Sequence, residues 1–242
     1  METKAEACLS GSLDGNVNIR PVEEHIYSVL PEIEACNSYD KKWGTLYDWV
    51  ACNSLYNRLV WGYSVSKFAR LTEKALMSSE EGYVLDLGCG SLAFTAKTYV
   101  NYGERPVIML DQSLKLLKLA KSRLLKLNKT MPENVILLHG DALHLPFKDR
   151  VFDTVISLNL LHVLDDAGSV LSGLKKVLTE GSKMYFTTLI KRNRFADRYL
   201  KMWENKGEVV ARNLDDLSSI FHQNGIDPVC EINGNMAFVC CG

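Results

Sequence analysis

Long apolar runs are missing from this chain of 242 residues. No stretch approaches the roughly 18 apolar residues that a membrane span needs, so no span is expected. The opening METKAEACLSGS is polar and lacks the apolar middle of a secretory signal, which points to a cytoplasmic protein. A surplus of one charge is missing too: 28 Lys and Arg face 29 Asp and Glu. That balance removes any global drive towards nucleic acid or an anionic surface, and no nucleic-acid partner is expected. The cysteines, at 8, 36, 52, 89, 230, 240 and 241, are odd in number and show no C-x-x-C or close Cys/His spacing. No metal site is expected from them; free thiols in a reducing compartment are the plain reading. Convergence of Cys52, Cys89 and Cys230 would suit a soft acceptor such as arsenite.

What is present is ordinary globular composition, 47% apolar and 24% charged, enough for one large domain or a domain with an appendage. Residues 1–40 read as an N-terminal arm with a short helix near Val22–Leu30. Residues 41–80 read as a helical cover, because Leu46, Trp49, Val50, Leu55, Leu59, Val65, Phe68, Leu71 and Leu76 recur at helical spacing. Two helices joined near Trp61-Gly62-Tyr63 fit that pattern. Residues 81–242 change character. Short apolar strands at Tyr83–Leu87, Val107–Leu110, Val135–Leu138, Val151–Leu158 and Met184–Leu189 alternate with helical patterns. Those helices are expected over Leu92–Val100, from Ser113 onwards, over Val170–Leu178 with a stop at Gly181, and from Asn213 to Asn224-Gly225. Pro228–Ile232 and Met236–Cys240 flank Asn233-Gly234-Asn235 as a tight hairpin. The fold class is therefore α/β: a mostly parallel sheet, helices on both faces and an antiparallel C-terminal strand. Ligands in such sheets sit beyond the carboxyl ends of the strands, at the loops 86–92, 111–113, 139–146 and 157–165.

In the first of these loops, Gly88-Cys89-Gly90-Ser91-Leu92-Ala93 satisfies the dinucleotide fingerprint G-x-G-x-x-A, and Asp111 lies where a ribose-binding carboxylate is expected. These features favour a nucleoside-bearing cofactor without saying which. Asp86, just before the glycines, bears on the choice. A carboxylate aimed into the turn repels a pyrophosphate but suits a ligand carrying a sulfonium and an ammonium; aimed elsewhere, it braces the loop by accepting backbone N–H groups.

VLDLGCGS (84–91), MLDQS (109–113), HGDALHLPF (139–147) and FDTVISLNLLHVL (152–164) together resemble the ordered motifs of class I S-adenosylmethionine-dependent methyltransferases, the broad group that includes the ubiquinone and menaquinone biosynthesis methyltransferases. The likeness covers roughly residues 83–190. It implies a Rossmann-like seven-stranded sheet in the order 3-2-1-4-5-7-6. It also implies S-adenosyl-L-methionine as cofactor and S-adenosyl-L-homocysteine as product. Asp86 and the main chain of Gly88, Cys89 and Gly90 would surround the methionine part. Asp111 would hold the ribose and Gln112 would flank the adenine. Asp141 would meet the adenine amino group, the Ala142 N–H a ring nitrogen, and Asn159 would line the route to the methyl group. The chain departs from many members at Leu92, where they carry glycine; leucine there raises helix propensity at an expected first turn.

Methyl transfer from a sulfonium needs alignment, desolvation and, for some acceptors, a base. His162, three residues after Asn159, is the candidate base; Asp165 and Asp166 would orient it or open the next helix. Tyr56, Trp61 and Tyr63 of the cover are the candidate substrate-lining aromatics. Arg192 and Arg194, in the basic segment KRNRFADRYLK (191–201), are candidates for holding an anionic substrate group. The expected partner is a small-molecule methyl acceptor, with its O, N or C atom open. An NAD-dependent oxidoreductase and a non-catalytic cofactor-binding partner or scaffold are the alternatives.

Overall fold

The computed structural model describes residues 4–31, 57–78 and 82–242. The chain begins with α1 (Lys4–Ser12), β1 (Arg20–Glu23) and β2 (Ile26–Ser28). A π-helical turn at Asn57–Trp61 and Gly62 at φ 73° lead into α2 (Ser66–Leu76). Then follow β3 (Tyr83–Leu87), α3 (Ala96–Asn101), β4 (Val107–Asp111), α4 (Leu114–Asn128), β5 (Val135–His139) and β6 (Phe152–Leu158). A 3₁₀ turn at Leu161–Val163 precedes α5 (Ala167–Val177), β7 (Leu178–Leu189), α6 (Arg194–Glu204) and α7 (Leu214–Gln223). The hairpin β8 (Val229–Asn233) and β9 (Met236–Cys241) ends the chain.

The described residues form one nine-stranded sheet in the order β1-β2-β5-β4-β3-β6-β7-β9-β8. The expectation of seven strands is thus corrected. An N-terminal ribbon, β1 antiparallel to β2, pairs in parallel with β5, so β5 is an inner strand rather than an edge. The same ribbon replaces the helix expected near Val22–Leu30. Val22, Ile26, Tyr27 and Val29 are β-branched or aromatic, and His25 turns the chain at φ 64°. Pro21 is tolerated because β1 lies at the sheet edge, with a partner on one side only.

Two further boundaries move. Leu92 stands at φ 55°, which no right-handed helix accommodates, so α3 begins at Ala96 and not at Leu92. Gly181 does not stop α5. Val177 passes directly into β7, where Leu178 pairs with Phe152 and Lys183 pairs with Thr154, leaving the residues between them as a bulge around Gly181 at φ 73°. Two other helix starts follow their caps. Ser113 accepts from Leu116 N–H at 3.2 Å, and Asn213 makes a reciprocal capping box with Asp216.

Alternation along the central strands builds two cores. Leu85, Leu87, Ile108, Leu110 and Phe186 face α1, α5 and α7; Val84, Val107, Met109, Ile156 and Tyr185 face α2, α3, α4 and α6. Both faces are covered, which is why these strands are apolar nearly throughout. Among the described residues no helix is long and apolar enough to cross a membrane.

Candidate functional site at the carboxyl ends of the strands

The first loop is shaped by backbone conformations that side chains resist. Gly88 and Gly90 stand at φ 70° and 57°. Gly88 and Cys89 both donate their N–H groups to the Leu110 carbonyl, at 2.8 and 3.2 Å, which ties the turn to β4. A Cβ on Gly88 would press on Leu160, whereas one on Gly90 would meet nothing within 4 Å. Gly90 therefore presents bare main chain to open space, a place where an added methyl group would fill room available to a ligand.

Asp111, at the end of β4, holds this turn. Its Oδ2 accepts from Gly90 N–H at 2.7 Å, and its Oδ1 accepts from Ser113 N–H at 2.8 Å. The two ends of adjacent strands are thus joined through one carboxylate. Arg123 of α4 adds a bond from Nη1 to the Ser91 carbonyl at 2.5 Å.

Asp86 lies beneath the turn and is 2% exposed. Its Oδ2 accepts from the Tyr99 hydroxyl of α3 at 2.7 Å. Burial pushes its carboxyl up to about 7, the Tyr99 bond opposes that shift, and the nearby Asp111 charge adds to it. Burial and the same two carboxylates also push the Cys89 thiol up. A buried carboxyl and a second carboxylate thus lie close together at the turn, where a cation would stabilise the ionised pair. Leu92, the departure from glycine, keeps a left-handed conformation and buries its side chain to 2% exposure in the core beside α3. It folds away from the turn.

The second and third loops meet the first. Gln112 is exposed, and its carbonyl accepts from His139 Nε2 at 3.1 Å. Gly140 donates to the Asp111 carbonyl at 3.1 Å. Asp141 is engaged locally: Oδ1 accepts from Leu143 N–H at 3.0 Å and Oδ2 pairs with His144 Nδ1 at 2.7 Å. Ala142 packs its side chain against the core. Asn159, at φ 60° after β6, donates its N–H to the Thr187 carbonyl at 2.8 Å, while Thr187 Oγ1 donates to Asn159 Oδ1 at 3.1 Å.

His162 sits apart from open space, 3% exposed. Its Nδ1 accepts from Leu189 N–H at 3.2 Å and stands 3.3 Å from Thr188 Oγ1, so the ring hydrogen belongs on Nε2. Burial, followed by the Arg212 charge, lowers its pKa to about 4. Arg212 itself clamps the loop after β6, donating to the carbonyls of Leu161, Leu164 and Asp165 at 2.7, 2.8 and 3.0 Å. Asp166 caps α5, accepting from Ser169 N–H at 2.8 Å.

On the cover side, Trp61 is 2% exposed, with its ring 5.2 Å from Trp203 and 6.4 Å from Tyr199 of α6. Tyr63 is buried against Phe68 and donates its hydroxyl to Asn57 Oδ1 at 2.8 Å. Tyr56 lies outside the described residues. The Arg192 side chain is exposed and its N–H donates to Asp197 Oδ1 at 2.9 Å; Arg194 opens α6, and its side chain is outside the described set. Of the three cysteines considered together, Cys52 is outside the described residues, and Cys89 and Cys230 pack against opposite cores.

Four contributors were not singled out from sequence: Tyr99, Arg212, His139 and Asn235. The buried Asn235 binds three elements, donating N–H to the Trp61 carbonyl at 2.9 Å and Nδ2 to Ile190 O and Asp197 Oδ1, both at 2.9 Å. The N-G-N hairpin signal located it but said nothing of those partners.

Residues 85–186, which hold all four loops apart from the cover, match a family described as a methyltransferase domain. Over these residues the chain is similar to methyltransferase domains. The chain is similar to the demethylmenaquinone methyltransferase of Lactiplantibacillus plantarum, at 37% identity over 44% of each chain. It is also similar to that of Lactobacillus johnsonii, at 30% identity over 62% of this chain and 63% of the relative. The chain thus aligns with less than two thirds of either relative's length. Among solved structures, the YcgJ protein of Bacillus subtilis shares the fold with a TM-score of 0.58 at 20% identity, over 69% of this chain and 70% of that one. So does the cyclase SpnF, with a TM-score of 0.55 at 18% identity, over 68% of this chain and 58% of that one.

Proposed function

We propose that the protein transfers the methyl group of S-adenosyl-L-methionine to a small-molecule acceptor, releasing S-adenosyl-L-homocysteine. One observation carries this reading: the bond from Gly90 N–H to Asp111 Oδ2, which joins bare glycine main chain to the Asp111 carboxylate, with the buried Asp86 close enough to feel that charge. The Asp111 carboxylate, joined by Asp86 as it loses its proton at about pH 7, opposes a pyrophosphate and favours a ligand bearing an ammonium and a sulfonium. That distinction ranks the methyl donor above NAD, although the glycine fingerprint is shared. When bound, the cofactor supplies an electrophilic methyl carbon. Asp111 would hold the ribose hydroxyls, Gln112 and Asp141 would border the adenine, and Asp86 would compensate the amino-acid end.

The chain's own work is then to align and desolvate the acceptor. We place the acceptor between the loop after β6 and the cover, near Trp61, Tyr63 and the exposed Arg192, with Tyr56 and Arg194 as further lining candidates. His162 is assigned as a positioning residue: its Nδ1 lone pair already accepts a backbone N–H, and burial holds the ring neutral. The acceptor must therefore supply its own lone pair or lose its proton to solvent.

Calorimetry with S-adenosylmethionine, S-adenosylhomocysteine and NAD tests the nucleotide class. Binding of the first two with weak or undetectable NAD binding is expected; tighter NAD binding would replace methyl transfer with redox chemistry. Turnover of a His162→Ala variant that collapses while cofactor affinity stays intact would restore the histidine as a base.

A further inference from the structure

The N-terminal ribbon is built into the sheet at the strand that ends next to the second ligand loop. β2 pairs in register with β5, Ser28 opposite His139, and Val29 donates to the His139 carbonyl at 3.0 Å. His139 and Ser28 are both fully buried. The imidazole spans the gap between them and the loop after β4: Nδ1 is 2.9 Å from Ser28 Oγ, and Nε2 is 3.1 Å from the Gln112 carbonyl. A carbonyl only accepts, so Nε2 bears the hydrogen, and in the neutral ring Nδ1 accepts from the serine hydroxyl. Ser28 Oγ in turn accepts from Leu30 N–H at 3.2 Å. The ribbon also grips the helix that the loop opens, since Lys121 of α4 donates to Glu23 Oε1 at 3.2 Å and to the Glu24 carbonyl at 2.6 Å.

The imidazole bond falls on Gln112, which lies between Asp111, paired with His139 in the sheet, and Ser113, the cap of α4. Asp111 holds Gly90, so any freedom in this loop passes to the glycine turn. We propose that His139 is a positioning residue through which the N-terminal ribbon clamps the Asp111–Ser113 loop, setting the adenosine side of the ligand site. The link to a ligand rests on the cofactor reading above; the clamp itself is a property of the protein alone.

Two substitutions separate the halves of the imidazole. In His139→Gln the side-chain amide nitrogen reaches the position of Nε2 and still donates to Gln112. In His139→Asn it reaches only the position of Nδ1, so Ser28 keeps a partner and the loop loses its own. Both variants give up one buried bond, so a purely structural histidine would lower stability alike in each and leave loop and ligand unaffected. The clamp predicts faster amide exchange at Gln112 and Ser113 in ligand-free His139→Asn but not in His139→Gln. It predicts that Asn weakens S-adenosylhomocysteine binding by about tenfold, the value of one such hydrogen bond, while Gln stays within about twofold. Ser28→Ala should fall between them. Equal exchange in the two variants would overturn the clamp. Wild-type protein that binds no S-adenosylhomocysteine would instead overturn the cofactor reading, and the exchange comparison would still decide the clamp.

Discussion

Leu92 offers a substitution whose sign depends on the loop conformation. Its side chain is 2% exposed and its φ is 55°. Leu92→Ala removes the buried isobutyl group, a loss of about 2–4 kcal/mol, and leaves a Cβ at left-handed φ, whose strain of about 1–2 kcal/mol both residues carry. Leu92→Gly loses the same packing but sheds the strain, offset by the greater freedom of glycine in the unfolded chain, about 0.5–1 kcal/mol. Glycine should therefore equal alanine or exceed it by up to about 1.5 kcal/mol. In a helix the order reverses, with glycine about 1 kcal/mol below alanine. The two cases differ by about 1–2.5 kcal/mol, or several degrees in melting temperature for a chain of this size. Urea unfolding of the three proteins under one buffer reads the difference. Leu92→Ala more stable than Leu92→Gly by about 1 kcal/mol would refute the left-handed assignment, and with it the turn that presents Gly90.

Asp86 and His162 should impose opposite pH slopes on stability. The native Asp86 keeps a proton up to about 7 that the unfolded chain gives up near its ordinary 3.8, so its contribution is lost as pH rises through that window. Native His162 refuses a proton down to about 4 that the unfolded chain takes up near 6.5, so its contribution grows with pH over that window. Urea titrations at several pH values should find Asp86→Asn with a more positive slope between them than wild type, and His162→Gln with a more negative one; unchanged slopes would contradict the burial argument. Gly90→Ala meets no neighbour, so it should cost only about 1–2 kcal/mol of left-handed strain yet weaken S-adenosylhomocysteine binding at least about tenfold by calorimetry. Gly234→Ala, whose Cβ would overlap the Trp61 carbonyl oxygen, should show the reverse balance, with stability lost by about 3 kcal/mol or more in urea unfolding. Arg212→Met leaves three loop carbonyls without their donor and should raise amide exchange across Leu161–Asp165, at a stability cost of about 2–4 kcal/mol.

The sheet from Tyr83 onwards was readable because buried parallel strands announce themselves as short apolar runs punctuated by glycine and acidic residues. The ribbon was not. Arg20–Glu23 and Ile26–Ser28 are too short and too polar to show alternation, and their strand state comes from pairing with β5. Asp111 was found from its place at a strand end, but its hold on Gly90 comes from the pairing of β3 with β4, which brings together residues 21 apart in sequence. Tyr99 fell inside an expected helix without being singled out; its bond to Asp86 follows from α3 lying over β3, which periodicity does not encode. Arg212 stood in a segment with no pattern at all, and only the tertiary fold brings it to the loop after β6. His162 was correctly placed in that loop, while its burial and its backbone partner were beyond reach of spacing alone.

A structure of the protein with S-adenosylhomocysteine tests the central claim most directly. The ribose should lie on the Asp111 carboxylate, with the adenine beside Gln112 and Asp141 and the amino-acid end over Gly88–Gly90, Leu92 remaining buried. A nucleoside bound anywhere else, or its phosphate-bearing counterpart NAD seated over Asp86 in its place, would contradict the assignment.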